Sequence, residues 1–406
     1  MKNRLYTLLL FCFVLMFAQH GNAQNQRYHD FVFNSYTIDS VTYSDTFHLK
    51  MDVYQPVGDS LCHRPLIVLA HGGSFISGNR QDDNAVVTLC QNFAKRGYVT
   101  ASIEYRLGSA INMAIDSAYA ENEVLQAIGD GKAAVRYFRK DASTTNTFKI
   151  DTNLIFCGGN SAGAVLFMHY IYITNVNQTS PALQTIINNN GGLEGNSGNP
   201  GYSSSVNAVL SLAGGLNDPN FIIAGDKPIA HFQGSTDNVV PYTCALAEQG
   251  AINVRLCGLG SLDPLYQSQH LIHVSKVYPG AGHVPWQSNT SEMTEVDSMS
   301  ANFLDTITAW PTQVYCNGSV GVQNITSDDL IAVFPNPANR EITISFPELA
   351  PYNKVQLVDG LGRVVTEKQI TSLRTTFERN DIASGVYFIR AIRKDASTVI
   401  RKVIFQ

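Results

Sequence analysis

The sequence is poor in charge: only 15% of its 406 residues are Asp, Glu, Lys or Arg. The 28 Lys and Arg nearly balance the 33 Asp and Glu, leaving a formal charge of −5 and no electrostatic footprint for nucleic acid or an anionic membrane. No basic stripe, zinc-type Cys/His spacing or phosphate-cradling glycine loop occurs, so neither a metal nor a nucleotide cofactor is expected. Past the N-terminus no apolar run reaches the roughly 20 residues a membrane-spanning helix needs, so no transmembrane anchor is expected. Apolar residues make up 44%, enough for a large core and too many for a disordered chain. The length suggests two or three domains.

The first 23 residues read as a secretory leader. Lys2 and Arg4 supply a positive start, Leu5 to Ala18 an apolar run too short to span, and Gly21-Asn22-Ala23 a small-residue cleavage site. Removing this leader removes Cys12 and leaves Cys62, Cys90, Cys157, Cys244, Cys257 and Cys316, an even number destined for an oxidising compartment. Cys244 and Cys257 are close enough to staple one loop. Cys157 sits in an apolar run and reads as a buried free thiol.

Between residues 24 and 310 the pattern alternates. Pro65 to Ala70, Tyr98 to Tyr105, Leu154 to Cys157, Val206 to Leu212, Pro228 to Phe232 and Val274 to Tyr278 read as strands, after a first one at Phe47 to Tyr54. Ala85 to Lys95, Glu121 to Lys140, Ala162 to Tyr172, about Cys244 to Ile252 and Glu292 to Thr308 read as helices. Such alternation predicts an α/β fold, a mostly parallel sheet with helices on both faces. Asn175 to Ser205, rich in Asn, Gly and Ser, reads as a long loop or partial cap that shapes a pocket. Residues 311–329 read as a linker, and 330–406 as short strands punctuated by turns, a small all-β sandwich.

The chemistry concentrates at strand ends. Gly159-Asn160-Ser161-Ala162-Gly163 joins a buried strand to a helix in the Gly-x-Ser-x-Gly pattern of a nucleophile elbow, with Ser161 as nucleophile. Small residues are required on both sides because the turn is too sharp for side chains there. His71-Gly72-Gly73-Ser74 follows another buried strand. The N–H groups of Gly73, Ser74 and Ala162 are the expected donors to an oxyanion. A serine nucleophile needs a histidine base and an acid to orient it, in chain order Ser, acid, His. Asp237 follows a predicted strand and is preferred to Asp218, which precedes a proline and suits a turn. Among the three histidines beyond Asp237, His283 follows the last strand of the alternation. His270 and His273 lie at that strand's wrong end. His169 reads as packing, and Asp130 as the structural partner of Arg136 or Arg106.

His71-Gly72-Gly73, Glu104-Tyr105-Arg106-Leu107 and Gly159-Asn160-Ser161-Ala162-Gly163 together resemble the hormone-sensitive-lipase and carboxylesterase branch of α/β hydrolases, over about residues 45 to 310. The resemblance implies a serine carboxylic ester hydrolase acting through an acyl-enzyme on small acyl esters or esterified polysaccharide fragments. A polyester hydrolase or peptidase of the same fold, or a non-catalytic surface binding protein, are the alternatives. Ser74 stands where a third Gly is usual and Asn160 where an acid is usual. Val333-Phe334-Pro335-Asn336-Pro337, Val358-Asp359-Gly360-Leu361-Gly362-Arg363 and Ser384-Gly385-Val386-Tyr387-Phe388 resemble the type A sorting domain of type IX secretion. That resemblance implies a Bacteroidota source, the type IX secretion machinery as partner, and passage across both membranes to the surface or medium.

Overall fold

A computed structural model describes residues 27–308, 310, 316, 331–346, 352–359, 363–379, 382–394 and 398–406. The expected leader, the expected linker apart from Cys316, and the turn glycines Gly360 and Gly362 lie outside them. The chain divides into two compact units, meeting in sequence between Cys316 and Asn317.

The first unit is built on eight strands. They are β1 (Tyr36–Ser44), β2 (Leu49–Pro56), β3 (Arg64–Ala70), β4 (Val99–Ile103), β5 (Ile150–Asn160), β6 (Val209–Leu212), β7 (Ile229–Gly234) and, after the short pair β8 (Ala245–Leu246) and β9 (Arg255–Leu256), β10 (His273–Tyr278). Their order across the sheet is β1-β2-β4-β3-β5-β6-β7-β10. β1 and β2 run antiparallel to their neighbours, and every pairing from β4 to β10 is parallel. This is the α/β-hydrolase fold. β1 precedes the first strand expected from the sequence; most of its residues are exposed, as suits a sheet edge.

Burial on both faces explains the unbroken apolar strands. Along β3, Leu66, Val68 and Ala70 enter one core with Phe138 and Leu166, while Ile67 and Leu69 enter the other with Leu89, Phe93 and Leu304. The first core lies under α3 (Ser117–Ser143) and α4 (Ala162–Tyr172), and the second under α1 (Asn84–Lys95) and α7 (Thr290–Ile307). The remaining helices are α2 (Ala110–Ile115), α5 (Pro181–Asn189) and α6 (Leu259–Ser268). Connections from β3 lead one way to β4, and those from β5 the other way to β6. A crevice therefore opens at the carboxyl ends of β3 and β5, where open α/β sheets bind ligands.

Two expectations fail here. The predicted helix at Cys244 to Ile252 is the β8–β9 hairpin, closed by a Cys244–Cys257 disulfide, with Glu248 and Gln249 at left-handed φ of 50° and 56°. Asn175 to Ser205 is not one loop: it contains α5, and its later carbonyls are gripped by Lys132, Arg136 and Arg139 of α3. A second disulfide joins Cys62 to Cys316, so the first unit extends past Trp310. Cys90 and Cys157 are free and buried. Asp130 pairs with Arg106, whereas Arg136 pairs with Glu194.

The second unit holds a three-stranded antiparallel sheet of β11 (Ala332–Phe334), β12 (Glu341–Ser345) and β15 (Arg374–Glu378). A four-stranded sheet orders β14 (Val364–Gln369), β13 (Tyr352–Val358), β16 (Gly385–Arg393) and β17 (Thr398–Phe405). Ile342, Ile344 and Phe377 of one sheet meet Val355, Leu357, Ile389 and Phe405 of the other in a shared core.

Candidate active site

Ser161 stands between β5 and α4 with φ 53° and ψ −117°, a conformation L-residues rarely adopt. The turn closes because its flanks have no side chains. A Cβ on Gly163 would lie 2.1 Å from the Ala70 carbonyl oxygen, and one on Gly159 would lie 2.5 Å from the Gly163 carbonyl carbon. The elbow is thus pressed against the end of β3, and the Ser161 N–H donates to the Leu212 carbonyl at 2.7 Å.

Asp237 and His283 arrive from the carboxyl ends of β7 and β10, and their loops are tied together. Ser235 N–H donates to the Tyr278 carbonyl, Thr236 N–H to the Ala281 carbonyl and Gly280 N–H to Ser235 Oγ. The approach is so close that a Cβ on Gly234 would sit 2.1 Å from the Gly282 carbonyl oxygen. Consequently His283 Nε2 is 2.8 Å from Ser161 Oγ, and His283 Nδ1 is 2.9 Å from Asp237 Oδ2. The Asp237 carboxylate can only accept, so Nδ1 carries the ring proton and Nε2 is free to accept from the serine hydroxyl. Asp237 is buried, its Oδ1 accepting from Val239 and Val240 N–H and its Oδ2 also from Gln233 Nε2. Such a line can deprotonate the serine and stabilise the imidazolium that results.

The competing candidates are elsewhere. Asp218 caps the short turn Pro219–Phe221. His273 opens β10, at the far end from His283, and His270 precedes it. His169 is buried in α4, bonded to the Val165 carbonyl and Asn217, and burial lowers its pKa. His71 stacks on Tyr105 with its Nδ1 on the Gly72 carbonyl, and burial lowers its pKa too.

After β3 the backbone takes three successive positive φ values, 116° at Gly73, 56° at Ser74 and 62° at Phe75. This turns the loop over the elbow: Ser74 and Phe75 line the same pocket as Ser161 and Ala162. Among the described residues, no acceptor is bonded to the N–H of Gly73, Ser74 or Ala162. Two of these three donors, those of Ser74 and Ala162, belong to residues that line the pocket with Ser161.

Residues 51–217 match the BD-FAE family, an esterase family of the α/β-hydrolase fold, and residues 332–406 match the secretion system C-terminal sorting domain. The two matched stretches are thus similar to a BD-FAE domain and to a secretion sorting domain. The sorting domain is of the type that directs type IX export. Among solved structures the chain is similar to Thermogutta terrifontis esterase 2 phosphorylated by paraoxon, at 20% identity and TM-score 0.49, over 66% of this chain and 94% of that one. Its butyrate-bound form matches at 20% identity and TM-score 0.48, with the same coverage. No curated protein matches the chain.

The first unit also contains pocket and loop residues that the motifs do not announce. Buried Asp83 caps α1 through Oδ1, while its Oδ2 accepts from the Gly72 N–H at 2.8 Å and Asn160 Nδ2 at 2.9 Å. Asn160 Oδ1 in turn accepts from Trp286 Nε1 at 3.1 Å, three residues beyond His283. One carboxylate and one amide therefore connect the oxyanion loop, the elbow and the histidine loop. Glu248 accepts from Ser74 Oγ and lines the pocket. The helix-cap pattern at Asp83 is readable in sequence; its second oxygen's partners are not.

Proposed function

We propose that the protein is an exported serine carboxylic ester hydrolase. Ser161 is its nucleophile, His283 its general base and acid, and Asp237 the group that orients the imidazole. The observation that carries this is the continuous hydrogen-bonded line from Ser161 Oγ through His283 to Asp237, rooted on an elbow held at positive φ.

In the first step Ser161 Oγ attacks the ester carbonyl carbon while its proton passes to His283 Nε2. The carbonyl oxygen takes the negative charge against the N–H groups of Gly73, Ser74 and Ala162. Collapse breaks the bond to the alcohol oxygen, which receives the proton from His283, leaving Ser161 acylated. Water then repeats the sequence: its oxygen attacks the acyl carbonyl carbon as His283 Nε2 takes its proton, the bond from that carbon to Ser161 Oγ breaks, Oγ recovers the proton from His283, and the carboxylic acid leaves. Small acyl esters and esterified polysaccharide fragments are the substrates, and the C-terminal domain addresses the enzyme to type IX export.

Replacing Ser161 with Ala removes the covalent step and lowers kcat by roughly 10⁴-fold or more with the fold intact. A serine-directed phosphonate labels the wild-type protein once, on the peptide containing Ser161. Ester turnover by Ser161→Ala within tenfold of wild type would refute the assignment.

A further inference from the structure

The space beside Ser161 is small and has a wall with something behind it. About 40 Å³ is free there, bounded mainly by apolar side chains and by Glu248. A second space of about 30 Å³ lies between α3, α4 and α5, reaching Ile128, Leu183 and the His169–Asn217 pair. Val124, Val165, Val254 and Leu256 line both. These four residues, common to both linings, stand between the two spaces.

The partition has two origins. Val124 and Val165 belong to α3 and α4, packed on the sheet. Val254 and Leu256 belong to the hairpin closed by the Cys244–Cys257 disulfide, with Leu256 paired to Ala245 and Cys257 bridged to Leu216. The same hairpin supplies Ala247, Glu248 and Ile252 to the pocket. The disulfide ties the two ends of this hairpin together.

A volume of that size accommodates roughly three water-sized atoms. We propose that the acyl site takes straight-chain acyl groups of up to about four carbons, with Val254 and Leu256 as its specificity-determining end wall. The space behind them is an extension of the same site that the wall cuts off. This rests on the esterase reading above and adds to it where the acyl group goes and what limits it. A longer acyl chain has to displace the wall; opening the wall by truncation joins the two cavities and gives the chain an apolar bed between α3 and α4.

The test is a series of 4-nitrophenyl esters from acetate to decanoate, run on the mature chain and on Leu256→Ala and Val254→Ala. In the wild type kcat/KM falls at least about tenfold between butyrate and octanoate. In either variant the octanoate-to-acetate ratio rises about tenfold or more. A wild-type profile that is flat to octanoate overturns the partition while leaving the esterase reading intact, even if neither variant folds. A folded variant whose ratio stays within twofold of wild type overturns it as well. No hydrolysis of any ester by the wild type defeats the esterase reading itself, and the partition with it.

Discussion

Asp83→Asn is the change that most directly tests how the site is held together. Asp83 receives four donors: Ala85 and Val86 N–H on Oδ1, and Gly72 N–H and Asn160 Nδ2 on Oδ2. An asparagine has a single oxygen, so whichever way its amide turns, two of those donors face an NH2 group. Hydrogen bonds to charged groups contribute about 1.5–3 kcal/mol each. Losing two, with some repair by water, costs about 2–5 kcal/mol. For a unit of this size that lowers Tm by about 4–10 °C. The catalytic cost is separate, because Gly72 precedes the oxyanion donors and Asn160 precedes the nucleophile. A displacement near 1 Å is enough to reduce kcat by about 10–100-fold. Thermal melts and 4-nitrophenyl acetate turnover measure both. Adding Asn160→Asp to Asp83→Asn restores one donor–acceptor pair between the two side chains but leaves Gly72 N–H without its carboxylate. The double variant therefore recovers part of the lost Tm while kcat stays low. A single variant that melts within 1 °C of wild type and turns over within twofold would refute the positioning role.

Asp237→Asn lowers kcat by about 10⁴-fold with little effect on Tm, whereas Asp218→Asn, at a turn cap, changes kcat by less than threefold; the reverse ranking would reassign the acid. His231 is buried between the Tyr266 hydroxyl and the Gly214 carbonyl, and burial lowers its pKa to about 4. The unfolded chain takes up this proton below about pH 6.5 and the folded chain resists until about pH 4. Stability is therefore complete above pH 6.5 and declines as pH falls to 4, by on the order of 3 kcal/mol. Tm measured from pH 7 to 4.5 should fall less steeply in His231→Gln than in wild type, and equal slopes would refute this. A chain ending after Ser319 retains Cys316 for its bond to Cys62 and should hydrolyse small esters with kcat/KM within a few-fold of the full mature chain. In the native producer the same deletion should leave active enzyme in the periplasm, and its appearance in the medium would mean the C-terminal domain does something other than address export.

The sheet strands β2 to β7 and β10 and the helices α1, α3, α4 and α7 were legible because burial on both sheet faces writes continuous apolar runs, and amphipathic helices write a 3.6-residue period. The elbow was legible because its geometry forbids side chains at positions 159 and 163. Chain order and strand ends led to Asp237 and His283, which the fold brings into hydrogen-bonding line with Ser161. The hairpin was not. Cys-Ala-Leu-Ala-Glu-Gln reads as helix by propensity, yet so short a stretch cannot sustain a helix unaided. A disulfide to Cys257 and left-handed turns at Glu248 and Gln249 decide its shape instead. That error moved the pocket: the reading assigned pocket shape to Asn175–Ser205, whereas the wall beside Ser161 comes from residues 239–256 together with α3 and α4. Lys132, Arg136 and Arg139 look like ordinary helix-surface charges in sequence. Only the fold shows them fastening carbonyls of the Asn/Gly-rich segment.

Asn160 shows how a departure from a familiar pattern can be explained by its neighbours. An acidic residue at this position would bring a second carboxylate within hydrogen-bonding distance of Asp83, in a buried place where two like charges are mutually destabilising. An amide avoids this because it offers both kinds of group: Nδ2 donates to Asp83 and Oδ1 accepts from Trp286. The same bond helps explain Val284, a β-branched residue at φ 45° beside the base. Buried Trp286, packed edge-on against Tyr278 and hydrogen-bonded to Asn160, fixes the chain two residues later and keeps that unfavourable turn from relaxing. Strain therefore sits at both reacting positions, at Ser161 itself and next to His283. The amide of Asn160 connects them, so Ser161 and His283, the proposed nucleophile and base, are held by one side chain that touches neither of the proposed reacting atoms.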